Sequence, residues 1–381
     1  MRDFSKSFKS VEGGFLGNLN LSKEQSQFIL SAKIKIQDWL RQGILEKIKE
    51  SEHIIVEPRF MSQGSGVYKT RNKPCYLPPQ QIDHDLGCYL PLSIAKEFSE
   101  LPRIASKIFF SVVDDLLIEL VKKERWVDID ISKNTCSRVI VNNEVHIDVP
   151  LYAIPDTEFN TIREQLNKSL ASENLSLNDA KRTDSWRNID IKKVLLAHRK
   201  TNWIKSDPRK LNVYFRKAFE HKGEQLRRIC RYLKAWRDYQ WVKDGPTSIY
   251  LMIFADSLFD AEIDRDDIAL LNILQGINRR LSDENYNVIN PTDPKEEIKI
   301  SDIDRQQLLN LSNTFASDLQ IAIHENIIPD EKATDLIRKN LGNRFPTIVI
   351  SSTEASIRDK VISTPISHKE EREPSSRTRA G

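Results

Sequence analysis

Only four cysteines stand in 381 residues, at positions 75, 88, 136 and 230. They lie far apart, which gives neither the Cys-x-x-Cys half of a zinc ribbon nor the paired framework of a disulfide-stapled domain. No Gly-x-x-x-x-Gly-Lys-Ser/Thr and no Gly-x-Gly-x-x-Gly occurs, so neither a P-loop nor a Rossmann phosphate turn is supported. Long apolar runs are also missing. The longest, Ile249 to Ala255, falls far short of the ~20 residues that span a bilayer. The first 25 residues carry Arg2, Lys6, Lys9 and Lys23 but no apolar h-region, so nothing marks a secretory signal. Charge of one sign is lacking too. Lys plus Arg number 58 and Asp plus Glu 55, a net of +3, which is low for a protein that coats a nucleic-acid duplex and places any bound polyanion at a local site. A soluble, cytoplasmic protein without membrane contact is the expectation.

What remains is a globular composition: 39% hydrophobic, 30% charged, with 15 Phe and 6 Trp to build a core. The length allows two folded units or one large core with appendages. From Leu21 to Glu50 apolar residues recur at helical spacing, with Ser22 as the expected N-cap. Short β-branched or aromatic runs follow at Ile54 to Glu57, Ile82 to Tyr89, Arg138 to Val141 and Val145 to Tyr152, with a helical stretch, Ser93 to Glu124, among them. After about Ser206 the chain reads as helical: Asn212 to Trp241, Ser248 to Glu262, Asp267 to Leu281, Arg305 to Glu325 and Ile327 to Leu341. Strands holding helices, then helices alone, make an α+β protein. The last stretch, His368 to Gly381, has no large aliphatic residue and reads as a flexible tail.

Chemistry concentrates in three places. Gln63-Gly64-Ser65 comes first, Asp83-His84-Asp85 follows, and Asp148 sits in His146-Ile147-Asp148-Val149-Pro150. Asp83 and Asp85, two apart, share one face of a strand, and Asp148 points away from Ile147 and Val149. Three carboxylates from two strands form an all-oxygen site suited to Mg²⁺. A helix starting after Gly64-Ser65 would present free N–H groups to phosphate. Alone, an Asp-x-Asp is most often a surface loop and a Gly-Ser a turn; the ordered set carries the information.

Lys234 has its own argument. Between Arg216 and Arg237 eight residues are Lys or Arg, against Glu220 and Glu224. Leu226, Ile229, Leu233 and Trp236 form a buried stripe, while Arg227, Arg231 and Lys234 share another face, where like charges repel unless an anion sits opposite. Two other candidates are weaker. His84-Asp85 lacks the upstream His pair of a metal phosphohydrolase, and His198 has no nucleophile motif near it and reads as structural.

The fuller strings Gln63 to Thr70, Pro79 to Gly87 and His146 to Pro155 resemble the DNA polymerase β-like nucleotidyltransferases. More narrowly, they are similar to the bacterial cGAS/DncV-like nucleotidyltransferases, the cyclic-oligonucleotide synthases of CBASS antiphage signalling. The clade that makes cyclic GMP–AMP is the nearest. Trp203 to Pro208, Leu226 to Trp241 and Gly245 to Ile249 extend the resemblance, which runs from about Phe60 to Met252.

The resemblance implies a two-lobed fold: a mixed twisted sheet braced by a long N-terminal helix, with a C-terminal helical lobe. The expected divisions are 1–50, a helical segment packing on both lobes; 51–205, the nucleotidyltransferase core; 206–350, the helical lobe; and 351–381, the tail. It implies Asp83, Asp85 and Asp148 as catalytic ligands of two Mg²⁺ ions, with Mn²⁺ a possible substitute, and Asp148 helping to deprotonate the attacking ribose hydroxyl. Gln63, Gly64, Ser65 and Tyr68 would hold the donor triphosphate and its base. Lys234 and Ser248 would reach the triphosphate from the helical lobe, Arg138 would lie near the nucleotide pocket, and Ser206 and Asp207 would meet the acceptor. The implied reaction joins ATP and GTP, or other NTPs, with loss of pyrophosphate, into a cyclic dinucleotide read by a separate effector. A ubiquitin-transfer-like partner that conjugates Gly381 is a further implied partner. A templateless RNA nucleotidyltransferase of the poly(A)- or CCA-adding type, or a silent sensor on the same fold, are the alternatives.

Overall fold

The computed structural model describes residues 1–52, 57–92, 102–161, 164, 194–201, 203–262 and 264–347. The tail, including Gly381, lies outside the described residues. Two short helices, α1 (Ser5–Lys9) and α2 (Phe15–Asn18), precede the long helix α3 (Lys23–Glu52). That helix opens on a reciprocal capping box: Gln25 N donates to Ser22 Oγ and Ser22 N to Gln25 Oε1, each at 3.1 Å.

The sheet comprises β1 (Arg59–Gln63), β2 (Ile82–Pro91), β3 (Asp128–Asp130), β4 (Cys136–Asn142), β5 (Val145–Ile154), β6 (Leu195–Leu196) and β7 (Ile204–Lys205). Its order is β1-β2-β5-β4-β3, and β6 takes the edge of β5 at Tyr152 and Ala153, beyond the last β4 partner, Pro150. Among the described residues only β2 and β5 run parallel; every other pairing there is antiparallel. The strand expected at Ile54 to Glu57 falls mostly outside the described residues. Pairing among the described ones begins at Arg59, after Pro58, which has no N–H to give a ladder.

Period-two alternation divides the sheet into unlike faces. Phe60, Leu86, Cys88, Val139, Ile147, Val149 and Leu151 are buried on one face, packed with Ile36, Leu40 and Ile44 of α3 and with Phe110, Val113 and Leu117 of α5 (Pro102–Glu124). The opposite face is apolar at one end only, where Met61, Tyr89, Tyr152 and Ile154 cluster. Its other end carries the carboxylates.

The helical lobe contains α6 (Pro208–Lys222), α7 (Glu224–Gln240), α8 (Ser248–Leu258), α9 (Asp266–Leu281), α10 (Asp302–His324) and α11 (Asp330–Leu341). The single helix expected from Asn212 to Trp241 is two. Gly223 adopts φ +84 and ψ 175 between them, a conformation that β-carbon sterics deny to other residues. Trp236, Tyr232, Phe254 and Phe315 fill this lobe's core, and Phe4, Phe8 and Phe15 of the N-terminal arm are buried with them. Thus residues 1–20 belong to the helical lobe, whereas α3 packs on the sheet.

Candidate active site

The parallel register of β2 and β5 sets Asp85 opposite Asp148 and Asp83 opposite His146. The flanking pairings extend the first row to Gln63 on one side and Arg138 on the other. Gln63, Asp85, Asp148 and Arg138 therefore stand abreast on one face, with Asp83 and His146 one step along the strands. One ligand atom from each of Asp83, His146 and Asp148 lies within 4.8 Å of the others.

Crowding of like charge shows in the acidities. Burial, then the neighbouring Asp83 and Asp148 carboxylates, hold Asp85 well above the usual carboxylate range. Asp83 has a 47% exposed side chain crowded by its neighbours; desolvation pushes it the same way, but His146 and Arg138 outweigh this and hold the group below that range. Asp148 is clamped by Arg138, whose Nε and Nη2 donate to its two oxygens at 2.6 and 2.7 Å. Three carboxylates so placed, one of them ionising against two like charges, fit a divalent cation.

Gly64 and Ser65 turn out of β1 into the one-turn helix α4 (Ser65–Tyr68). At φ +64 Gly64 presses against the acidic row: a β-carbon there would lie 2.1 Å from Asp85 Oδ2. Half-buried Ser65 begins the turn, its carbonyl accepting from Thr70 N at 3.0 Å.

Gln63 is committed elsewhere. Its amide donates to Tyr89 Oη at 2.7 Å and accepts from Tyr152 Oη at 3.2 Å, under two stacked rings 4.6 Å apart. Tyr68 is buried between the lobes, its ring 5.2 Å from Phe215, beside a cavity of about 300 Å³ that Arg209 and Arg216 also line.

From the helical lobe, buried Lys234 reaches across to donate to the Thr70 carbonyl at 2.7 Å. Burial lowers its pKa to about 8, against the pull of Asp238 and Asp83. The basic row it was grouped with does not face one anion. Arg227 pairs with Glu224 and lies over the Phe219 ring, while Arg231 donates to Asn72 and Asn20. Ser248 is half-buried at the first turn of α8, beside the N-cap Thr247, whose side chain accepts from Tyr250 N. Asp207 caps α6, accepting from Arg209 N and pairing with Arg209 Nη2 at 2.8 Å. Half-buried Ser206 hangs on the Val194 carbonyl.

His84 points to the other sheet face. It takes a contact from Arg71 Nη2 at 2.6 Å, and burial and Arg71 depress its pKa to about 3. A neutral ring turned from the carboxylates is no phosphohydrolase ligand. His198 Nδ1 accepts from the backbone of Lys200 and Thr201, a turn role. Sequence reasoning missed Arg71, which lies near enough to feel Asp83 and Asp85, and His146. For His146 the signal was available: it alternates with Asp148.

Two family models match. Residues 58–152 fit the nucleotidyltransferase domain of cyclic GMP-AMP synthase DncV-like proteins, and residues 223–353 fit the cyclic GMP-AMP synthase C-terminal domain. A cyclic GMP-AMP synthase from Escherichia coli is 35% identical over 242 residues, covering 61% of this chain and 54% of the relative. One from Vibrio cholerae is 36% identical over 222 residues, 55% of this chain and 49% of the relative. The chain thus spans about half the length of these relatives. Among solved structures, Vibrio cholerae DncV cyclic AMP-GMP synthase in complex with the linear intermediate pppA(3′,5′)pG superposes with a TM-score of 0.72 at 23% identity, over 92% of this chain and 99% of that one. The GTP-bound form of DncV gives 0.69 at 23%, over 90% and 96%. At that identity the likeness concerns the fold. With both lobes matched by models of one synthase architecture, the chain belongs to the DncV-like nucleotidyltransferases.

Proposed function

We propose that this chain is a cyclic dinucleotide synthase that joins two nucleoside triphosphates, ATP and GTP in the lead reading, with release of pyrophosphate. The observation that carries it is the register of Asp85 against Asp148, with Asp83 one step away, in a chain similar to proteins named cyclic GMP-AMP synthase. The DncV structures bound to GTP and to 3′-deoxy ATP support the choice of bases.

Two divalent ions, Mg²⁺ with Mn²⁺ as a substitute, would supply charge neutralisation on the phosphates and activation of the attacking hydroxyl, held by Asp83, Asp85 and Asp148. The protein's own work is positioning. Gly64 and Ser65 bring backbone N–H groups beside the row, and Lys234 and Ser248 approach from the opposite lobe to meet the leaving phosphates. Asp148 exchanges its Arg138 contact for the nucleophile's side of the reaction. Ser206 and Asp207 approach the acceptor, and Gln63 and Tyr68 shape the pocket from behind through their packing. The linear intermediate turns round in the same cleft for the second bond.

An antiphage role in the cytoplasm, an effector that reads the product, and a conjugating partner acting on Gly381 follow from the same family reading. Removing the last residues and finding conjugation unchanged beside such a partner would dispose of the last.

The test incubates purified protein with Mg²⁺ and four NTPs, each radiolabelled in turn, before phosphatase treatment. A phosphatase-resistant product that needs ATP and GTP is expected. Primer-dependent or phosphatase-sensitive products would replace the reading with an RNA-tailing enzyme. No product, with nucleotide binding kept in Asp83→Ala, would replace it with a sensor.

A further inference from the structure

We propose that His146 is itself a metal ligand: with Asp83 and Asp148 it forms a mixed nitrogen–oxygen site that takes a first-row transition ion such as Mn²⁺ in preference to Mg²⁺. The inference rests on reading the acidic row as a metal site and goes beyond its three carboxylates.

The alternation of β5 places His146 on the same face as Asp148, and the parallel register sets it beside Asp83. Its side chain is 8% exposed. The Gln81 amide fixes the ring's tautomer. Gln81 Nε2 donates to the carbonyls of Asn142 and Asn143 at 3.1 and 3.4 Å, so its oxygen is the atom turned to His146 Nδ1, 3.0 Å away. An amide oxygen only accepts, so Nδ1 carries a proton. That leaves Nε2 to face the carboxylates, the arrangement of a metal-binding histidine held by an outer partner.

The Nε2 contact supports this. The atom is buried without a hydrogen-bond partner, although it lies 2.8 Å from Asp83 Oδ1. The contact is short but off the axis that an N–H···O bond requires. Neighbouring ligands of one octahedral ion, each bonded at ~2.1 Å, lie about 3 Å apart. A ring nitrogen and a carboxylate oxygen at this separation suit a shared cation better than a donor and an acceptor. Imidazole nitrogen is a poor partner for Mg²⁺ and a good one for first-row transition ions, which sets the selectivity.

The experiment uses the full chain without nucleotide, and Mn²⁺ alone as the probe. Free Mn²⁺ is counted by EPR during titration, and the bound ion is examined by pulsed EPR for nitrogen coupling, with ¹⁵N-histidine labelling to identify the ring. Wild type should bind Mn²⁺ with a histidine coupling. His146→Ala and His146→Gln should lose it, with Mn²⁺ affinity down about 10-fold or more and Mg²⁺ competition little changed. Mn²⁺ bound by wild type with no histidine nitrogen coupling overturns the role of His146 and leaves the carboxylate site standing. A nitrogen coupling that survives in either variant overturns it equally. Absence of any Mn²⁺ binding overturns both this inference and the metal-site reading beneath it. The decisive spectrum is that of the unmutated protein, so a variant that folds poorly does not protect the proposal.

Discussion

Asp85 Oδ2 occupies the space that a β-carbon on residue 64 would need, 2.1 Å from its ideal position. The turn that is expected to meet phosphate and the carboxylate expected to hold metal are thus one packed unit. Gly64→Ala would both strain a φ of +64 and push Asp85 out of the row. Strain of that kind costs about 1–3 kcal/mol, so the variant should fold with a lower melting temperature. Turnover should fall by a larger factor, on the order of 100-fold, as expected when a catalytic group is misplaced by about 1 Å. Melting curves and product formation measured on one preparation check both halves.

Arg138 holds Asp148 through two parallel hydrogen bonds while both side chains are mostly buried, 24% and 13% exposed. Arg138→Ala would leave a carboxylate in a row of carboxylates without its counter-charge, at a cost of about 1–3 kcal/mol. A cation bound to the row would replace the lost guanidinium. Millimolar Mg²⁺ should therefore raise the melting temperature of Arg138→Ala by more than it raises wild type. Equal increments would mean that the arginine and the ion do not share Asp148.

Lys234 gives a pH dependence with a fixed sign. Burial brings its pKa from 10.5 to about 8. Between those values the unfolded chain holds the proton and the folded one does not. The penalty for burying this cation is therefore fully present below pH 8 and fades as the pH rises toward 10.5. If Lys234 meets the phosphates as proposed, nucleotide affinity should run the other way, falling as the pH passes about 8 and that charge is lost. Lys234→Gln should bind triphosphate about 10- to 100-fold more weakly at neutral pH, the scale of one charge-assisted hydrogen bond, and should lose that pH dependence. Titrations with a fluorescent NTP analogue at pH 7 and pH 9 decide it.

Tyr89 and Tyr152 hold the buried Gln63 amide by its nitrogen and its oxygen. Tyr89→Phe removes one hydroxyl and leaves Gln63 Nε2 unpaired, which should cost about 1–3 kcal/mol. Chemical denaturation should show a shifted midpoint with an unchanged slope. Loss of activity without loss of stability would instead place Gln63 against the nucleotide.

The acidic row was legible because its signal is local. Asp83 and Asp85 are two residues apart, and Asp148 lies between two buried aliphatics, so alternation alone assigned their faces. The register that brings Asp85 against Asp148 was not legible, because it is set by a parallel pairing across more than sixty residues of chain. Arg138 carried a resemblance to a nucleotide contact, and only the β4–β5 pairing revealed its grip on Asp148. The basic row on α7 misled for a related reason. Helical spacing fixes which residues share a face but not what lies opposite each, and here three different partners do.

The N-terminal arm was least legible of all, since α1 and α2 are too short for a period to show and their partners lie far along the chain. Phe8 is fully buried, its ring centroid 4.9 Å from Phe345, 5.2 Å from Tyr232 and 6.0 Å from Phe15. Ser5 Oγ accepts from Asp266 N, Phe4 N donates to Asp267, and the Arg2 guanidinium meets the carbonyls of Glu325 and Ile328. Phe8→Ala should cost about 3–5 kcal/mol, as for other buried aromatics. The loss should be local, because the arm's phenylalanines are buried in the helical core, whereas α3 packs on the sheet. Hydrogen exchange should then report faster opening of α7 and α9, with the amides of β2 and β5 protected as in wild type. Lys234 rides on α7, so nucleotide affinity should weaken in the same variant although residue 8 lies in another lobe from the carboxylates. Faster exchange in β2 and β5 would mean that the two cores open together, and the arm would then brace the whole molecule rather than one lobe.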